Sequence, residues 1–107
     1  EFGENPFIGY WHDFGHIQRK HNLLILNHEQ FLRRMSSHLI GGHVNDVKWP
    51  ARDHQVPLLG GVVPFERLLP FLPHGVPLVW ELSSRVSSED IRAARKLWME
   101  KFPQTLA

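Results

Sequence analysis

The sequence predicts an α/β protein built on a parallel sheet, and three observations carry that prediction. Short apolar runs of strand length alternate with stretches of helical periodicity. The alternation, strand then helix, occurs three times, which favours parallel strands joined by right-handed crossovers. Each strand-like run also ends at or near a polar residue able to do chemistry, as expected where strand ends share one edge.

The first strand is expected near residues 7–12, where Phe7–Trp11 is apolar and aromatic and stops at His12-Asp13. Residues 15–26 read as a connection. Asn27 then caps a helix near 28–36, with Gln30 three residues on and Phe31, Leu32 and Met35 as its apolar stripe. The second strand, near 39–44, is closed by Asn45-Asp46. A polar, proline-containing loop leads to Pro64 and a helix near 65–72 carrying Phe65, Leu68, Leu69 and Leu72, which Pro70 and Pro73 shorten. PLVWEL, near 77–82, is the third strand and is apolar except for Glu81, as a strand covered on both faces should be. Ser87 or Ser88 caps the last helix, near 88–101, where Ile91, Ala94, Leu97 or Trp98, and Phe102 recur before Pro103.

The chain has 107 residues, which fits one small domain, taken here as 5–107. It begins with Glu1 and not Met, so residues 1–4 read as a leader or cloning remnant and the chain as part of something longer. With 12 Lys+Arg against 11 Asp+Glu, no strong field steers it to nucleic acid or an anionic membrane. Cysteine is absent, which excludes disulfides and thiolate metal sites. No apolar run is long enough to span a bilayer and no secretory signal is visible, so a cytoplasmic location is expected.

Asp13, His43 and Glu81 fall at or near the three expected strand ends, about one strand-helix unit apart. In a parallel sheet they gather at one edge. A single His or Glu at a strand end is usually a structural residue; three in phase point to a site. Two carboxylates and an imidazole suit a divalent metal, Mn²⁺ or Mg²⁺ by their oxygens and Zn²⁺ or Co²⁺ by the nitrogen. His16 follows Asp13 closely, and Asp53 and His54 are further candidates in the next loop. His21, His28, His38 and His74 are expected in solvated positions. Trp11, Trp80 and Trp98 are expected in the core, with Trp11 also placed to line a pocket. Arg33-Arg34 and the Arg92, Arg95 and Lys96 group read as solvated helix faces.

The runs DFGH (Asp13–His16), HVNDVK (His43–Lys48), DHQVPLLGGVVPF (Asp53–Phe65) and VWEL (Val79–Leu82) together resemble the xylose-isomerase-like TIM barrels. That superfamily holds sugar-phosphate isomerases and epimerases and the endonuclease-IV-type abasic-site enzymes. The resemblance runs from about Pro6 to Phe102 and is to the last three strand-helix units of an eight-unit barrel. It implies that Asp13, His43 and Glu81 are metal ligands and that His16 contacts substrate or a second metal. A further glutamate ligand of the family, on the preceding strand, has no counterpart here, and Leu59-Gly60-Gly61 departs from the family's Gly-x-Gly.

The implied activity is sugar or sugar-phosphate isomerisation or epimerisation through an enediolate, with Glu81 as both ligand and acid/base and His16 holding a substrate hydroxyl. The endonuclease branch uses an Asp and a His separated by one intervening residue. Here Asp53 and His54 are adjacent, and on an extended backbone they would point to opposite faces and not both reach one cluster. That argument and the net charge of +1 place the isomerase branch first and disfavour nucleic acid as a partner. Three strands cannot close a barrel, so complementary strands or self-association are expected, and the chain alone is expected to be inactive. The remaining alternative is a non-catalytic folding or assembly unit.

Overall fold

A computed structural model describes residues 9–105. Residues 1–4, expected as a leader or cloning remnant, and residues 7 and 8 of the expected first strand lie outside the described residues. The elements in order are β1 (Tyr10–Asp13), α1 (Phe14–Asn22), α2 (His28–Met35), β2 (Leu39–Val44), β3 (Asp46–Lys48), β4 (Arg52–Gln55), α3 (Phe65–Leu68), β5 (Leu78–Trp80) and α4 (Ser88–Lys101). Short 3-10 turns follow α2, α3 and α4.

The main sheet is parallel, in the order β1-β2-β5. Asp13 pairs with His43, and His43 pairs in turn with Val79. Glu81 lies just past β5, where its backbone N–H still donates to the Val44 carbonyl at 3.1 Å. The three strand ends therefore stand level along one edge.

Side chains alternate across the strands and so divide the sheet into two unlike faces. Leu39, Val44, Leu78 and Trp80 join the core on the helix-covered face. There Phe14, Leu32, Phe65, Leu68 and Trp98 are fully or almost fully buried. Burying a side chain of that size stabilises by roughly 1.5–3 kcal/mol, so these positions dominate the packing. The aromatic rings meet edge-on or tilted, Phe65 on Phe14 at 5.4 Å and on Trp98 at 5.2 Å between centroids. On the opposite face Trp11 and Val79 are 38% and 49% exposed. The expectation that the third strand is covered on both faces is thus corrected: among the described residues the helices cover one face, and Val79 on the other stays half-exposed.

Two elements depart from the expected order. The connection after Asp13 is a helix, α1, with Asp13 as its cap: Oδ1 accepts the His16 N–H at 2.9 Å. Its apolar signal is thin, Phe14 and Ile17 alone, but Arg19, Lys20 and His21 in its last turn suit the helix dipole. The polar loop after β2 contains an antiparallel hairpin, β3 with β4. The second expected helix is shorter than 65–72, since Pro70 forces a 3-10 turn at Leu69–Phe71.

Asn45 and Asp46, just past β2, hold the surroundings of His43 in place. Asn45 Oδ1 accepts the Gly15 N–H at 2.9 Å, and a Cβ on Gly15 would overlap that oxygen. Asp46 is buried and its Oδ1 accepts N–H groups from Val47 and Val63 at 2.8 and 2.9 Å. Burial raises its pKa, and the backbone donors oppose that rise. A Cβ on Gly61 would overlap this carboxyl, so glycine lets the 56–63 loop close onto it. No helix among the described residues is long and apolar enough to cross a membrane.

Candidate metal centre

β1 delivers Asp13, β2 delivers His43, and the residue after β5 is Glu81. One donor atom from each lies within 4.8 Å of the others, and the group could hold a metal ion. His43 Nδ1 is 4.0 Å from Asp13 Oδ2 and 3.8 Å from Glu81 Oε1. Neighbouring ligands at bonds of about 2.1 Å lie about 3 Å apart in regular geometry. Small side-chain rotations would close the difference.

Asp13 divides its two oxygens. Oδ1 caps α1, which fixes the carboxylate plane and leaves Oδ2 facing His43. The imidazole of His43 rests against the Trp11 ring, with centroids 5.3 Å apart at 64°. Trp11 lies across Gly41, where any Cβ would strike its ring. The missing side chain at position 41 is therefore what lets the indole reach the histidine.

Glu81 Oε1 is shared. His54 Nε2 stands 3.4 Å from it, and His54 Nδ1 is 3.3 Å from Asp53 Oδ1. The expectation that adjacent Asp53 and His54 do not easily both reach one cluster assumed an extended backbone; here His54 reaches Glu81, while Asp53 stands outside the grouped donors. His54 has a φ of 53°, so the backbone is not extended there and the alternation of faces breaks. Asp53 is turned towards Arg19, Oδ2 to Nη1 at 2.9 Å. The His54 hydrogen bond, with the charges of His54 and Arg19, lowers the Asp53 pKa. A continuous set of contacts therefore runs from Asp13 through His43, Glu81 and His54 to Asp53. His16 contributes its backbone N–H; among the described residues its exposed imidazole makes no hydrogen bond or ion pair and stands outside the grouped donors.

No family model matches the chain, and no curated protein matches it either.

Behind the site runs a second histidine arrangement that the sequence reading missed. His12 is fully buried and His28 is 1% exposed, which corrects the solvated position expected for His28. Tyr10 Oη bonds His12 Nδ1 at 2.9 Å, His12 Nε2 bonds His28 Nε2 at 2.8 Å, and His28 Nδ1 bonds Gln18 Oε1 at 2.7 Å. Gln18 Nε2 donates to Asn22 at 2.9 Å, so its oxygen must accept. The proton positions then follow: His28 donates from Nδ1, His12 from Nε2, and Tyr10 from its hydroxyl. Both rings are neutral, and burial pushes His12 down to about 4 and His28 down to about 3. Burial, with the Asp13 charge, pushes Tyr10 up to about 12. The available signal was position: His12 precedes Asp13 in a strand and so must face the helices, where an imidazole needs a partner.

Proposed function

We propose that this chain forms part of a divalent-metal-dependent isomerase or epimerase of sugars, with Mn²⁺, Mg²⁺, Co²⁺ or Zn²⁺ held by Asp13, His43 and Glu81. The observation that carries the reading is the convergence of these three side chains from adjacent parallel strand ends. The ordered resemblance of DFGH, HVNDVK, DHQVPLLGGVVPF and VWEL to the xylose-isomerase-like barrels supports it. The bound ion would polarise the carbonyl and hydroxyl of an open-chain sugar and so lower the cost of an enediolate.

The chain's own residues supply the rest. Glu81 is exposed and carries the proton between adjacent carbons; the His54 ring beside Oε1 steadies its carboxylate. His43 is held by Trp11, and Asp13 by the helix it caps, so both are oriented before an ion arrives. His16, on the first turn of α1, holds a substrate hydroxyl. The remaining strands of a closed barrel come from further polypeptide or another copy.

The test is isotope exchange. With Mn²⁺ and a panel of aldoses and ketoses in deuterated water, deuterium should enter the carbon next to the carbonyl, and Glu81→Gln should abolish it. Metal-dependent cleavage of abasic DNA without any exchange would move the chain to the endonuclease branch, for which the approach of His54 to Glu81 is the favouring observation. Association without metal binding would leave only the assembly-unit reading.

A further inference from the structure

Beside the metal triad, on the side of the hairpin, lies a cavity of about 380 Å³ lined by Ala51, Arg52, Asp53, Gln55, Ser83 and Arg85. We infer that this cavity is an oxyanion subsite, in which Arg52 and Arg85 grip the phosphate or carboxylate of a sugar whose reacting carbons lie at Asp13, His43 and Glu81. The inference rests on the function proposed above and narrows its substrates to anionic sugars.

Charge makes the first argument. The two guanidiniums come from different segments, Arg52 from β4 and Arg85 from the loop after β5, yet both line one cavity. Both are exposed, and neither enters an ion pair among the described residues. Arginine offers a planar fork of N–H donors that matches two oxygens of a phosphate or carboxylate. The carboxylate that shares the cavity, Asp53, is already engaged by Arg19 and His54. The cavity wall is therefore positive on balance.

Connectivity makes the second. The Ser83 N–H donates to the His54 carbonyl at 2.8 Å, which pins the loop after β5 to β4 and holds the arginine-bearing segments together. Ser83 Oγ accepts the Arg85 N–H at 3.2 Å, leaving its hydroxyl proton for a ligand oxygen. Gln55 donates to the Asp53 carbonyl at 3.0 Å through one amide hydrogen and retains the other. The cavity also adjoins the triad: His54, next to Asp53, touches Glu81, and Ser83 follows Glu81 by one intervening residue. A substrate chelated at the triad by one end thus has its other end beside the arginines.

The experiment titrates the isotopically labelled chain with inorganic phosphate, and separately with acetate, while following the arginine side-chain N–H resonances. Saturable shifts confined to Arg52 and Arg85 are expected. Each of Arg52→Gln and Arg85→Gln should weaken the bound oxyanion about tenfold, the usual size for a lost charge-assisted hydrogen bond. Both variants should bind Mn²⁺ like the wild type. Tighter phosphate than acetate assigns a phosphorylated sugar and the reverse assigns an acid sugar; both support the subsite. No saturable response at these arginines, or equal affinity in the variants, overturns it. Phosphate binding that survives in a chain unable to bind Mn²⁺ would contradict the proposed function while leaving the subsite standing.

Discussion

Asp13 caps α1 with Oδ1 and, in the proposed site, offers Oδ2 to an ion, and the two roles can be separated. Asp13→Asn keeps an oxygen for the His16 N–H, so stability should change little while Mn²⁺ affinity falls. Asp13→Ala loses the cap as well and should cost about 1 kcal/mol in denaturant unfolding. The buried histidines give a pH dependence of definite sign. Their folded pKa values, about 4 and about 3, lie below the ordinary 6.5. Below pH 6.5 the unfolded chain takes up protons that the folded chain refuses, so stability should fall as pH drops towards about 4. The slope approaches about 1.4 kcal/mol per pH unit for each histidine involved. His28→Gln should flatten that slope, read by denaturant unfolding at a series of pH values. The residue scale was legible where a side chain sat at a strand end. It was illegible at His54, whose left-handed backbone no neighbouring residue announces, and at His28, whose helix-start position resembled a solvated one.

Among the elements, periodicity was informative where apolar residues were dense. β2 and α4 occupy the expected Leu39–Val44 and Ser88–Lys101, and Ser87 caps α4 through a 3.1 Å bond from the Asp90 N–H. It failed where polar residues form elements by pairing alone. Arg52–Gln55 is a strand because it pairs with Asp46–Lys48, and its residues show no apolar alternation. α1 is hard to see in the sequence because Asp13 is at once the end of a strand and the cap of the helix that follows. α3 is a single turn and draws its stability from packing, since isolated helices of that length do not persist. Phe65→Ala should therefore cost about 3–5 kcal/mol and shift the whole unfolding transition, seen equally by far-ultraviolet and tryptophan signals.

At the scale of the molecule, the parallel order β1-β2-β5 follows the strand-helix alternation of the sequence, and an uncovered inner face is what three strands that close no barrel should leave. That face, with Trp11 and Val79 uncovered and β1 and β5 as unpaired edges among the described residues, is a surface that seeks strands. Association at micromolar concentration is expected in sedimentation, and a compact monomer that binds no hydrophobic dye would contradict it. The triad stands at one end of the same face, and the reading of the whole molecule depends on its holding an ion. Titration of the chain with Mn²⁺, followed by loss of the free-ion paramagnetic signal, tests this most directly. The wild type should show saturable binding that His43→Ala weakens at least about tenfold, as loss of a ligand should, while His16→Ala leaves it unchanged. Equal Mn²⁺ binding by wild type and His43→Ala, or no saturable binding by the wild type, would contradict the account.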